Sequence, residues 1–149
     1  MKNNVKIIKT ESKNKSLIYM CSVIEYIVRI RFEHRYSIVK KMGKDGLKSL
    51  YNGFDVWHCH TYQATAAIFA HEYNIPYGTY DFVQRSTADK DSIYPRQISK
   101  RFAVMIENKS INDRMDIIDA AYEIYSDRNI ESIMEGRLLP DRLYKTASY

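Results

Sequence analysis

With 149 residues, 45% of them apolar and 28% charged, the chain has material for one domain with a real core, which excludes a disordered polyelectrolyte and leaves no room for two full α/β domains. Its two cysteines, Cys21 and Cys59, are too few for a disulfide framework, and the longest apolar stretch, Leu17 to Ile30, is broken by Ser22, Glu25 and Arg29. That stretch falls short of the roughly 20 residues that span a bilayer, so neither a transmembrane helix nor a signal peptide is expected and a reducing, cytoplasmic setting follows. The net charge of +5 is unevenly held: residues 1–48 carry 12 Lys and Arg against 4 Asp and Glu, a balance of +8, whereas residues 49–149 stand at −3. A basic N-terminal third points to an anionic neighbour.

In chain order, Val5 to Lys9 is a short β-favouring run, and Thr10 to Ser16 is turn-like. From Leu17 the apolar residues Met20, Cys21, Ile24, Ile27, Val28 and Phe32 recur at spacings of three and four, which predicts an amphipathic helix with Ser16 as its N-cap. Helical spacing resumes through Ile38, Val39 and Met42 before Gly43 and Gly46, and a short segment Leu47 to Tyr51 leads to the Asn52-Gly53 turn. Phe54 to His60 reads as a buried strand. Thr61 to Tyr73, rich in alanine, reads as a helix with Thr61 as N-cap and small residues for close packing on a sheet.

Ile75 to Asp81 reads as a second strand, with Pro76 near its start. A polar loop from Gln84 to Pro95 precedes a helix from Gln97 to Met115, then a strand from Asp119 to Tyr125. Ser126 then caps a helix from Asp127 to Glu135 that Gly136 ends. Strand and helix thus alternate with short connections, which predicts an α/β fold: a Rossmann-like, mainly parallel sheet flanked by helices, in a single domain over residues 1–149. In such sheets ligands gather outside the carboxyl ends of the strands, where His58 to Tyr62, Asp81 to Arg85, and Ser126 with Asp127 would lie.

The segment Asp55-Val56-Trp57-His58-Cys59-His60, the alanine-rich helix and Asn74-Ile75-Pro76-Tyr77 together resemble the N-terminal acceptor domain of family 4 glycosyltransferases. Ile118 to Ser126 is similar to the family's strand ending in A-V-S, and Gly136 to Leu143 to the segment before its interdomain hinge, so the resemblance is clearest over residues 54–145. It implies part of a GT-B architecture whose donor-binding domain is missing, a truncated protein not active alone. Completed by such a domain, it would transfer a sugar from a nucleotide-sugar to a glycan or lipid-linked acceptor. Residue by residue, the resemblance implies that His60 faces the cleft and orients the donor sugar, and that Ser126 stands at the cleft edge. Tyr62, beside His60, joins the substrate-binding set. The family's first glycine-rich loop has no counterpart near residue 1, and Tyr80-Asp81-Phe82 departs from its "HG". No cofactor is implied.

His58 and His60 share a face of the expected strand, but Cys21, His34 and His71 lack zinc spacing, and no metal is expected. Arg85, with Arg96, Lys100 and Arg101, is placed to bind an acceptor phosphate or carboxylate; equally, these cations balance Asp89 and Asp91. Arg29, Arg31, Arg35, Lys40, Lys41, Lys44 and Lys48 accompany only Glu33 and Asp45. Their plainer reading is a solvated helix face; the functional one is peripheral docking on an anionic membrane. A non-catalytic module that uses this basic third against a membrane, nucleic acid or a protein partner is thus the alternative to the enzyme. Nucleic acid lacks any supporting signature here. The gap left in the expected sheet predicts self-association or a partner chain.

Overall fold

The computed structural model describes residues 8–57, 59–87 and 89–136. Helix makes up 73% of them, and no strand is present among the described residues. This corrects the expected fold: the described residues form a bundle of helices, not a Rossmann-like parallel sheet or part of a GT-B architecture. The elements are α1 (Lys15–Arg31), α2 (Arg35–Asn52), α3 (Phe54–Trp57), α4 (Tyr62–Glu72), α5 (Phe82–Arg85), a 3₁₀ turn (Lys90–Ile93), α6 (Pro95–Asp113), α7 (Ile117–Ser126) and α8 (Asn129–Met134).

Helix α1 is the axis of the bundle. It packs against α2, α4 and α6, while α7 packs against α2 and α6. Leu17, Met20, Cys21, Val23, Ile24 and Ile27 are all at 0% exposure, so α1 is covered around most of its circumference rather than along one stripe. Each such aliphatic side chain contributes about 1.5–3 kcal/mol on leaving water, which makes α1 the largest source of hydrophobic stabilisation. Its N-cap is Asn14, whose side chain accepts from the Leu17 N–H at 3.0 Å; Ser16, the expected cap, lies inside the helix. The alanines of α4 do allow close approach, but to α1 and not to a sheet. Thr61 caps α4 as expected, accepting from the Ala64 N–H at 3.0 Å.

Three segments expected as strands are different. Phe54–Trp57 is one turn of helix, followed by a bend through Cys59 and His60. Residues 75–81 are extended but pair with no strand: the Gly78 and Tyr80 N–H groups donate to the Arg31 and Phe32 carbonyls at the end of α1. Residues 119–125 lie within α7, with Ser126 its last residue instead of the cap of the next helix. Ile118, Ala121 and Tyr125 bury one face of α7 at spacings of three and four, and the Asp116 side chain accepts from the Ile118 N–H. That is helical patterning with helical capping, and it overrides the β preference of the run. Most of Val5 to Lys9 lies outside the described residues. Gly43 breaks α2 with φ 68° and ψ −178°, a conformation open to glycine and strained for residues with a Cβ, so α2 is two helical segments meeting at a kink.

Candidate functional site

The described residues contain a polar cluster that the sequence reading did not assemble. Arg35, the first residue of α2, is fully buried. Its Nε and Nη2 donate to Glu25 of α1 at 2.5 and 2.7 Å, and its Nη1 donates to Glu131 of α8. The guanidinium carbon also lies 4.2 Å from the centroid of the Phe82 ring. Burial alone would lower the Arg35 pKa, but the Glu25 and Glu131 carboxylates outweigh it and hold the group above its usual range. Glu131 also accepts from the Arg35 backbone N–H at 2.5 Å, which supplies the cap that the His34 side chain does not. A carboxylate from α8 thus fixes where α2 begins.

Tyr80 extends the cluster. Its hydroxyl lies 2.6 Å from Glu135 Oε2 and 3.2 Å from Glu131 Oε1, and burial, then the Glu131 charge, pushes it well above the usual phenol value. Arg29 donates to the Ile93 carbonyl and stands 3.7 Å from Glu25 Oε1. Burial lowers the Arg29 guanidinium, with Glu25 opposing. Three glutamates (Glu25, Glu131, Glu135) therefore meet three arginines (Arg29, Arg35, Arg85) in a charge-balanced group joining α1, α2, α5 and α8. None of its buried members lines the surface cavities at α2 or α6. Its role is positional: it orients α2 and the segment before α5. The available signal was Glu25, a carboxylate in the middle of an otherwise apolar helix, because a charge on such a face needs a partner.

The face oriented in this way is basic. Arg29 and Arg35 point inward, but Lys40, Lys41, Lys44 and Lys48 are exposed along α2. Lys44 bonds Asp119 at 3.0 Å, and that hydrogen bond raises its ammonium above the usual value. Above the Gly43 kink, Lys40 and Lys41 border a groove of about 480 Å³ shared with Glu33, Ser37, Ile75 and Pro76. Beside it, Arg31 donates to the Ile75 carbonyl at 3.1 Å and to the Tyr77 hydroxyl at 2.8 Å, with its guanidinium 4.4 Å from the Tyr77 ring centroid. Tyr77 is 74% exposed, so an aromatic ring stands in solvent against Arg31, next to the groove that Lys40, Lys41 and Glu33 line.

The residues nominated from sequence are dispersed. His60 is exposed in the bend before α4. Tyr62, the first residue of α4, stacks on Tyr26 of α1 with ring centroids 5.8 Å apart. Arg85 ends α5, with its Nε 3.3 Å from Glu135 Oε2. Ser126 ends α7. Tyr62, Arg85 and Ser126 thus lie on three helices, and the partners of Tyr62 and Arg85 come from different parts of the fold. The sheet whose strand ends would have gathered them is absent from the described residues. No group of three His, Cys, Asp or Glu side chains able to hold a metal occurs among the described residues, and no helix there is long and apolar enough to cross a membrane.

Comparison with protein-family models, with curated proteins and with solved structures finds no match to this chain.

The two cysteines differ sharply in environment. Cys59 is exposed, whereas Cys21 is buried on α1, where desolvation pushes its thiol up to about 12. A thiol reagent such as Ellman's reagent is therefore expected to modify Cys59 in the folded protein and Cys21 only after denaturant is added. Rapid reaction of both thiols without denaturant would show that α1 is not the covered axis described.

Proposed function

We propose that the chain is a non-catalytic helical binding module that docks peripherally on an anionic membrane surface through the upper half of α2. The observation that carries this reading is the grouping of the exposed Lys40 and Lys41, at the groove they share with Ile75 and Pro76, with Arg31 and the exposed ring of Tyr77 beside it. Cations near an anionic bilayer each add about 1 kcal/mol of attraction. Exposed aromatic side chains suit the headgroup level, where an apolar body and a polar tip are both accommodated.

The test is co-sedimentation of the protein with vesicles of phosphatidylcholine alone or mixed with phosphatidylserine, at low and high salt. Binding is expected only to the anionic vesicles and only at low salt. The double variant K40E/K41E is expected to lose about tenfold or more of that binding. Equal binding to neutral vesicles, an unaffected double variant, or capture by a DNA or RNA oligonucleotide in preference to anionic vesicles would overturn the proposal.

A further inference from the structure

The groove beside the upper half of α2 is built unevenly. Lys40 and Lys41 follow Ser37 by three and four residues, so the two ammoniums stand one helical turn above its hydroxyl, and all three side chains line the groove. Among the described residues neither ammonium is in an ion pair and the Ser37 hydroxyl makes no hydrogen bond, so two cations and a hydroxyl are open to one ligand.

The groove's carboxylate lies at the other end. Glu33 precedes Lys40 and Lys41 by seven and eight residues, about 10 Å along the helix axis. Its side chain lies against Gly78, where a Cβ would stand 2.8 Å from Glu33 Cδ and Oε2. Arg31, beside the groove, bonds a carbonyl and a hydroxyl, both neutral, so its charge adds to that of the lysines. The remaining lining is apolar: Ile75, 4% exposed, and Pro76. The Ile75 N–H already donates to the Ala70 carbonyl at 2.9 Å and Pro76 has no N–H, so this wall offers no backbone donor to a ligand.

We propose that the groove takes the terminal phosphate of a phosphomonoester lipid, a phosphatidate, in preference to the diester head of phosphatidylserine. A monoester brings nearly two charges and three free acceptor oxygens, which match two ammoniums and one hydroxyl. A diester brings about one charge, and the serine beyond its phosphate would press a carboxylate onto Ile75 and Pro76, where no donor meets it. The inference rests on the membrane reading for the source of its ligand and adds a choice of head group.

Co-sedimentation of the full chain with phosphatidylcholine vesicles that contain phosphatidate or phosphatidylserine, matched in zeta potential, reads that choice. Binding about tenfold tighter to the phosphatidate vesicles is expected. Ser37→Ala, which keeps the helix, is expected to bring the ratio near one, and K48E, a charge change beyond the Gly43 kink, to leave the ratio as it was. In an NMR titration, soluble dihexanoyl phosphatidate is expected to shift the amides of residues 37–41, Ile75 and Tyr77 saturably, and glycerol phosphate to bind about tenfold more weakly for want of chains. Glycerol phosphate binding as tightly as the short-chain lipid would assign the groove to a soluble phosphate ester and overturn the proposal, as would a ratio untouched by Ser37→Ala. Equal binding to the two charge-matched vesicles overturns the choice of head group alone, whereas no binding to either overturns the membrane reading with it.

Discussion

Replacing Arg35 with alanine is expected to destabilise the fold by about 3–5 kcal/mol, read from the urea midpoint at unchanged m-value. The variant leaves the Glu25 and Glu131 carboxylates buried, at 0% and 5% exposure, without the guanidinium between them. It also leaves three carboxylates, Glu25, Glu131 and Glu135, facing only Arg29 and Arg85, one negative charge in excess. For a domain with the usual 5–15 kcal/mol of stability such a loss approaches global unfolding. Arg35→Lys is therefore the companion variant: it keeps the charge but loses the fork that reaches both carboxylates, and an intermediate loss is expected. A loss below about 1 kcal/mol for Arg35→Ala would place the pair in solvent-screened surroundings and remove the cluster as the anchor of α2.

The second large effect is expected at Gly78. A Cβ there would press into the backbone carbonyl oxygen of Phe32 and stand 2.8 Å from Glu33 Cδ. The carbonyl cannot yield easily, since it already accepts from the Tyr80 N–H at 2.9 Å, and the Gly78 N–H itself bonds the Arg31 carbonyl at 2.8 Å. Gly78→Ala should therefore lift residues 75–80 off the end of α1 and cost about 1–3 kcal/mol, an overpacking effect measurable by thermal or chemical denaturation. Tyr77 and Pro76 move with that segment, so the same variant should weaken adsorption to anionic vesicles although it alters no charge. An unchanged melting temperature together with unchanged vesicle binding would mean that the segment has room the structure does not give it.

Helices α1, α4 and α6 were legible in the sequence, α1 because its apolar residues recur every three or four positions and α4 because it is rich in alanine and begins at Thr61, a strong cap. The expected strands were not legible in the same sense. Phe54 to His60 is a short, mostly apolar segment interrupted by Asp55, His58 and His60, of a length that fits a strand or a helical turn equally, and periodicity cannot decide between them. Residues 118–125 read as a strand, yet their buried positions keep helical spacing, and the Asp116 side chain caps them as a helix. Once those segments are helical, the parallel sheet and the cleft edge that would have united His60, Tyr62, Arg85 and Ser126 are no longer available. The basic third was visible as a number, yet Arg29, Arg35 and the lysines of α2 looked alike in it.

Local sequence was sufficient for what depends on neighbours along the chain: the period of α1, the cap at Thr61, and the excess of positive charge before residue 49. Tertiary structure decided what depends on neighbours across it. Glu131, 96 residues from Arg35 in sequence, draws one cation inward and starts α2, while Lys40 and Lys41 stay in solvent at the groove they share with Ile75 and Pro76. Burial and pairing are properties of three-dimensional contact, and a charge that is alike in every sequence count becomes a structural pin or a docking surface only when the fold assigns it a dielectric and a neighbour.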